Sequence, residues 1–574
     1  MTNFNNTSGQ SPVIALRVPG GVLNRLKMNS TTVLLALFVV TIVGQENPGG
    51  ISPDLYSPDM RNNADLDGFF YRISTRYHLS VPASFYVQPM NVGHARAFLR
   101  TVDSLDRENK LSPQETIDLQ RIKRIVDSKN SLFSYADAQH ARSLHVGISL
   151  IDSSHFMVRD SSAVFTRGTI TPRLSGNVGR FSFYSSVDVW TDYRSDTLWH
   201  TSTYEPYDGV PYNLYGRKDS AHTRASDLPR GGIRYDGGVY TIEAAIDYLK
   251  QGPAVFTPLT FSGNAPPITF VRGTLDLGIA EYVQTVGQLK SDKDKPKYLY
   301  THRLNIPLFH SLVNAGITEV VINGSTTNEP HTATDSANAL RKDYYNQTRG
   351  WEPVYMIPFV PYVFVEHYAG DRDNKALSFD ATLNWPDKTR FYGEFFIDDM
   401  TAPWSLFSSD WGNKWAFTIG GQYFGAIMNK DISATAEYTR VEPWVYTHFY
   451  GGAERYDNFN QCLGAPLGPD SDVLTVLCET AVAPLHSVGL QFSTTRKNSV
   501  ARGGSITDVF QDTTHNGFLA DSWTKHFLGP GTVTTTQLRV YWKFNQFGIF
   551  RVTSKYTYDF SGASIFELFG GVVF

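Results

Sequence analysis

Gln537-Leu-Arg-Val-Tyr-Trp-Lys-Phe-Asn545, the turn Asn545-Gln-Phe-Gly548 and the returning run Phe550-Arg-Val-Thr-Ser-Lys-Tyr-Thr-Tyr-Asp-Phe560 decide the fold. In the first run Leu538, Val540, Trp542 and Phe544 share one face, and Gln537, Arg539, Tyr541, Lys543 and Asn545 share the other. A strand imposes this period of two on its side chains. In the second run Phe550, Val552, Tyr556, Tyr558 and Phe560 alternate with Arg551, Thr553, Lys555, Thr557 and Asp559. A tilted strand crosses a bilayer in about 9–11 residues, whereas strands of soluble sandwiches average about five or six. Both runs have the longer span. The pattern recurs upstream in Phe181, Phe183, Val187 and Val189, and in Trp415, Phe417 and Ile419. It returns in Ile432, Ala434, Ala436 and Tyr438 set against Ser433, Thr435, Glu437 and Thr439.

Strands that hide one face and leave aromatics on the other need their edges removed, and closure into a barrel does that. The chain ends on Ile565-Phe-Glu-Leu-Phe-Gly-Gly-Val-Val-Phe574, with Phe566, Leu568, Val572 and Phe574 on one face, like the last strand of bacterial outer-membrane barrels. The expected fold is all-β: a large antiparallel transmembrane β-barrel over residues 136–574 with about sixteen to eighteen strands and its long loops on one side. Its expected home is the bacterial outer membrane, with outer-membrane lipid and the barrel-assembly machinery as partners. Loops of such barrels carry function. The two richest are Trp199–Thr223, holding Trp199, Tyr204, Tyr207, Tyr212 and Tyr215, and Tyr450–Thr480, holding Arg455 and Tyr456.

The 574 residues include 51 basic and 55 acidic side chains, a net charge of −4 that argues against a nucleic-acid partner. A hydrophobic content of 41% disfavours disorder. The apolar run Val33–Val43 is about half the ~20 residues of a spanning helix but suits a signal-peptide core. Arg17, Arg25 and Lys27 precede it and Pro48-Gly49-Gly50 breaks it, so residues 1–45 read as a cleaved export signal, with Met28 an alternative start. Residues 46–135 form an N-terminal segment, irregular to about residue 85. Helical spacing then follows in Ala97, Phe98, Val102 and Leu105, and in Ile117, Leu119, Ile122, Ile125 and Val126. Ser112-Pro113-Gln114-Glu115 supplies a cap, a first-turn proline and a reciprocal carboxylate for the second helix. The charged positions of the pair, Asp118 and Arg121 among them, read as solvated surface. Cys462 and Cys478 are the two cysteines of the chain, and in an oxidising compartment they are expected to form a disulfide worth about 3 kcal/mol.

Enzyme signatures are missing: there is no Gly-x-Ser-x-Gly elbow, no His-Glu-x-x-His and no phosphate-cradling glycine loop. Asp398 and Asp399 are adjacent on a strand and so point to opposite faces. His486 and His526 beside serines are a weak basis for a triad, and two cysteines do not make a four-thiolate metal site. No catalysis, cofactor or metal is expected. Flat Tyr and Trp side chains flanked by Asp, Asn and Arg suit the apolar faces and hydroxyl rims of sugars, so the aromatic loop points to carbohydrate; the competing reading is an interfacial aromatic belt.

Five stretches, in order, resemble the Wzi family of capsule-assembly outer-membrane proteins. They are Tyr240-Thr-Ile-Glu-Ala-Ala-Ile-Asp-Tyr-Leu-Lys-Gln-Gly-Pro253; Leu259-Thr-Phe-Ser-Gly-Asn-Ala-Pro-Pro267 with Arg272; Phe391-Tyr-Gly-Glu-Phe-Phe-Ile-Asp-Asp399; Ala436-Glu-Tyr-Thr439 leading to Tyr446-Thr-His448; and Leu463-Gly-Ala-Pro-Leu-Gly-Pro-Asp470. The resemblance covers about residues 90–574. It implies an eighteen-stranded barrel, a small helical bundle at the periplasmic mouth that helps close the lumen, and a lectin-like hold on capsular or other surface polysaccharide. Gln251 departs from the pattern, which has Trp before the Gly. The alternative function is a substrate-specific porin, which needs a continuous polar path; an enzyme acting on lipid or glycan comes third.

Overall fold

Alternating side chains need a shared interior, and the strands provide one by closing on themselves. The computed structural model describes residues 64–574 apart from 91, 127–130, 138–141, 159–161, 196–221, 291–295, 310, 326–348, 371–372, 429, 449–452, 511–519 and 547–548. The expected export signal at 1–45 lies outside the described residues. The transmembrane barrel has eighteen antiparallel strands, each paired with its neighbour in sequence. They are β1 (Arg142–Val158), β2 (Ser162–Val178), β3 (Phe181–Arg194), β4 (Thr223–Asp236), β5 (Tyr240–Asp247), β6 (Ile268–Asp276), β7 (Glu281–Lys290), β8 (Pro296–Leu308) and β9 (Val313–Gly324), followed by β10 (Asn374–Leu383), β11 (Thr389–Asp399), β12 (Lys414–Ile427), β13 (Lys430–Val441), β14 (Ser471–Ala483), β15 (His486–Lys497), β16 (Val533–Gln546), β17 (Phe550–Asp559) and β18 (Ser564–Val573). Strand β18 closes the ring on β1, from Ser564 opposite Val158 to Val573 opposite Ser149. Phe574 completes the seam by exchanging backbone hydrogen bonds with Ile148.

The two ends differ as outer-membrane barrels do. Turns at 179–180, 237–239, 277–280, 309–312, 384–388, 428–429, 484–485 and 547–549 are short and mark the periplasmic end. Connections at 195–222, 248–267, 325–373, 400–413, 442–470 and 498–532 are long. Val540, Trp542, Tyr556, Tyr558, Phe566 and Leu568 face outward, as the alternation requires, while Tyr541, Thr557 and Asp559 are buried inside.

Three helices sit at the short-turn end: α1 (Ala64–Tyr77), α2 (Val92–Arg107) and α3 (Pro113–Val126). Helix α1 falls in the stretch that the sequence reads as irregular. Its stripe of Leu66, Phe69, Phe70 and Ile73 packs with Phe98, Val102, Leu119 and Ile122 into one apolar core that reaches Tyr184 on the barrel wall. The α3 cap is reciprocal: the Glu115 N–H donates to Ser112 Oγ (3.2 Å) and the Ser112 N–H to Glu115 Oε2 (2.9 Å). Asp118 departs from the solvated-surface reading, because it is buried against Arg72 Nη2 at 2.5 Å. The bundle is tied to the short turns through Arg76–Asp431 (3.1 Å), Ser112–Asp431 (2.5 Å), Thr75–Asn384 (3.2 Å) and His78–Asp387 (3.0 Å).

The expected disulfide does not form: both cysteines are free thiols. Cys462 is buried in the interior core, where burial pushes its thiol pKa up. Cys478 is exposed with Leu474 and Val476 on the outward face of β14. The barrel wall lies between the two sulfurs.

Candidate functional site

A strand-lined lumen is a potential pore, and here two long connections fold inward and fill it. Leu249, Leu259, Phe261 and Ala265 of one, and Val445, Tyr446, Tyr456 and Leu463 of the other, pack with inward Leu299, Ile322, Phe396 and Ala416 into one apolar core. Irregular backbone inside a protein needs hydrogen-bond partners. Two inward glutamates supply them to the 248–267 insert. Glu437 accepts from the N–H groups of Val255 (2.8 Å), Phe256 (3.1 Å) and Thr257 (2.7 Å) and from Tyr392 Oη (2.8 Å). Glu394 accepts from the N–H groups of Ala254 (2.9 Å) and Leu259 (2.7 Å). Gly252, at φ +104°, must lack a side chain, since a Cβ would collide with the Glu394 carboxylate. Arg390 donates to Pro253 O (2.8 Å) with its guanidinium 3.9 Å from the Tyr71 ring centre, and Lys250 pairs with Asp67 of α1 at 3.0 Å. Helix, insert and wall are thereby one network.

Beside this filling, a cavity of about 180 Å³ is lined by charges of both signs, including Asp67, Arg72, Lys250, Glu479 and Lys543. Small-molecule clefts begin at about 300 Å³, so this void is below the size of a substrate site.

At the long-loop end three connections meet in an aromatic platform. The Trp411 ring lies 4.0 Å from Phe510, 5.7 Å from Trp523 and 6.2 Å from Trp444, centre to centre. Backbone bonds knit the loops: Trp411 N–H to Trp523 O (2.9 Å), Lys525 N–H to Ser409 O (2.8 Å) and Trp444 N–H to Gly503 O (2.8 Å). Gly503 has φ +86° and is covered by the Trp444 indole, which leaves no room for a side chain. Trp444 and Phe510 are buried as the base, whereas Trp523 is 59% exposed as the upper face. The charged groups of the cluster differ in exposure: Arg502 is half-exposed, whereas Lys414 and Lys525 are buried. Arg502 pairs with Asp521 (3.0 Å) and Asp508 (3.3 Å), and Lys414 stands 4.6 Å over the Trp411 ring. Lys525 lies 2.7 Å from Glu442; burial pulls its ammonium pKa down, and Glu442 works the other way. An exposed indole in the same loop as a half-exposed guanidinium can stack on a sugar ring and bond its hydroxyls.

The sequence-derived residues are placed differently. Trp199, Tyr204, Tyr207, Tyr212 and Tyr215 lie outside the described residues. Arg455 and Tyr456 are buried within the second insert rather than displayed on a loop. Arg455 donates to Asp457 Oδ2 (2.7 Å), and Tyr456 stacks near Phe261 and Tyr446 while its hydroxyl donates to Thr260 O (2.8 Å). The stretch 450–480 is not one loop, because β14 begins at Ser471. Asp398 and Asp399 diverge as expected: Asp398 accepts from the Tyr446 N–H inside (2.9 Å), and Asp399 accepts from the Met400 N–H at the strand end (2.9 Å). Gln251 is buried and donates to inward Thr318 Oγ1 at 2.9 Å. The platform was missed because its rings come from three segments far apart in sequence. The usable signal was tryptophan in three separate long connections.

No family model matches the sequence, and no curated protein does either. Among solved structures, the chain is similar to Wzi from Escherichia coli, described as an outer-membrane protein involved in group 1 capsule assembly and a carbohydrate-binding β-barrel. That match has 12% identity and a TM-score of 0.50, covering 92% of this chain and 99% of that one. Matches to Pseudomonas aeruginosa OccK8 (OprE) and to a BenF-like porin from Pseudomonas fluorescens have 9% and 7% identity and TM-scores of 0.41 and 0.40, each covering 75% of this chain and 98% of that one. At these identities the likeness is one of fold.

Proposed function

We propose that this chain is a bacterial outer-membrane barrel of the Wzi type, exported by a cleaved signal, that holds capsular or other surface polysaccharide at its long-loop rim. The observation that carries the reading is the contrast between the two regions: the lumen is packed as a core, while exposed aromatic surface with polar neighbours lies at the loop end. The described likeness to a carbohydrate-binding barrel supports the same reading. Trp523 is the stacking surface, Arg502 and Asp508 are its polar partners, and Trp199, Tyr204, Tyr207, Tyr212 and Tyr215 extend the contact along the polymer. Each contact is weak, and repetition along the glycan gives firm attachment.

The test is retention of the host's own surface polysaccharide on the purified, folded protein, with an unrelated capsule as control. An aromatic–sugar stack of about 1–1.5 kcal/mol corresponds to about a tenfold loss for Trp523→Ala. Alanine at Trp199, Tyr207 and Tyr212 together should release glycan while the protein stays folded. Unchanged retention in both variants would sink the site, and no retention by the wild type would sink the function.

A further inference from the structure

A second unusual feature lies outside the barrel. Leu299 and Ile322 belong to the interior core, so alternation turns Tyr298, Tyr300, His302, Glu319 and Val321 outward. Outward residues elsewhere on this wall are open, as Ile317 and Phe379 are at about 40%. Tyr300 and Val321 are 0% exposed. What covers them is the segment 351–369, containing a turn at Pro353–Met356 and the helix α4 (Tyr362–Ala369), through Tyr355, Tyr362 and Val365.

The segment's irregular backbone is satisfied by wall side chains. The N–H groups of Glu352, Phe359 and Tyr362 donate to Tyr300 Oη (2.7 Å), Tyr282 Oη (3.1 Å) and Glu319 Oε2 (3.0 Å), while Gln284 Nε2 donates to Tyr355 O (3.2 Å). His302 bonds Glu319 and stacks on Tyr362 at 4.1 Å. Both acidic residues of the segment turn to the protein, Glu352 to Arg349 and Glu366 to Lys375. The opposite face carries Trp351, Met356, Ile357, Phe359, Phe364 and Tyr368, 47–84% exposed, with His367 and the Tyr368 phenol as its titratable groups. His302 sits opposite Glu319 and Tyr282 opposite Leu304, so the contact runs well down the wall from the loop-end residues Lys290, Pro296 and Gly324.

We infer that residues 351–369 are a re-entrant element seated in the acyl chains of the outer leaflet. Two observations converge on that occupant. The apolar face is continuous with the lipid-facing exterior of β8–β10. Four outward polar side chains of the wall, Tyr282, Gln284, Tyr300 and Glu319, also serve the segment's backbone, partners which a loop in water does not need and a loop in hydrocarbon does. The inference rests on the barrel's spanning a membrane and not on what its loops bind.

The experiment uses the full chain carrying Cys478→Ala, with NBD attached at Phe364→Cys or Tyr368→Cys, in phosphatidylcholine vesicles after folding is checked by heat-modifiable mobility. Val500→Cys, on an exposed loop-end residue, is the aqueous reference. Mid-chain doxyl lipid should quench the Phe364 probe several-fold more than iodide does, with the order reversed at Val500. Iodide quenching at Phe364 equal to that at Val500 would place the segment in water and overturn the inference. Protection from both quenchers would mean that protein, such as a second copy, covers the face, and would overturn it equally.

Discussion

Glu437 shows how much one side chain does here. It is buried on β13 and takes three backbone N–H groups and a phenol, so it holds the 248–267 insert to the wall. Glu437→Gln puts an amide NH₂ against those donors, and a loss of about 2–4 kcal/mol is expected, because buried donors left unmade cost about 1–3 kcal/mol each and charged acceptors are the stronger ones. The urea midpoint of the heat-modifiable band measures it. Ser378→Ala is the control: its buried Oγ has no hydrogen-bond partner, so this change should be neutral or slightly stabilising. The cysteines give a second residue-scale prediction. Under non-reducing conditions the mobility of Cys462→Ser and Cys478→Ala should match wild type, and thiol titration should find both thiols only after unfolding, since burial withholds Cys462. Absence of titratable thiol in the unfolded, unreduced chain would restore the disulfide.

Among the elements, the helical bundle tests what holds a plug in place. Asp431 is the second residue of β13, at its short-turn end, and accepts from both Arg76 of α1 and the Ser112 hydroxyl that caps α3. Asp431→Ala should raise protease cleavage within 64–126 while the barrel keeps its heat-modifiable mobility; Ser112→Ala removes the cap as well and should cost about 1 kcal/mol. Unchanged cleavage would mean that the apolar core around Phe70 and Ile122 docks the bundle by itself. Helix α3 was legible because its Ser-Pro-Gln-Glu start is a local signal. Helix α1 carries the same kind of signal, Leu66, Phe69, Phe70 and Ile73 at i, i+3, i+4 and i+7, but it follows a Pro-, Asn- and Asp-rich stretch with no cap-and-proline start like that of α3. Asp67 is tolerated at a buried site because Gln88 and, far along the chain, Lys250 both donate to it.

For the whole molecule the question is whether an eighteen-stranded wall conducts. Porins of comparable strand number leave a water-filled channel, whereas this interior is an apolar core flanked by bound carboxylates. Planar bilayers containing the wild type should therefore show no stable open-channel current. Loosening the insert with Glu437→Gln should introduce flickering events. A steady, ion-selective current from the wild type would favour the porin reading and end the anchor model.

The barrel was legible in sequence because strand alternation is set two residues at a time: Leu538, Val540 and Trp542 declare the outer face without reference to anything distant. Strand length then separated a membrane barrel from a sandwich. Everything that fills, crowns or clads that barrel was decided by tertiary structure. Glu394 and Glu437 look like ordinary inward charges until Ala254–Leu259 arrive to be bonded. Tyr456 reads as a loop aromatic until the chain turns inward and buries it. Trp411, Trp444 and Trp523 become one cluster, and Tyr300 becomes covered, only when segments widely separated in the chain meet. Local periodicity carries no information about such meetings, because the energy that fixes them comes from contacts made after the wall has formed.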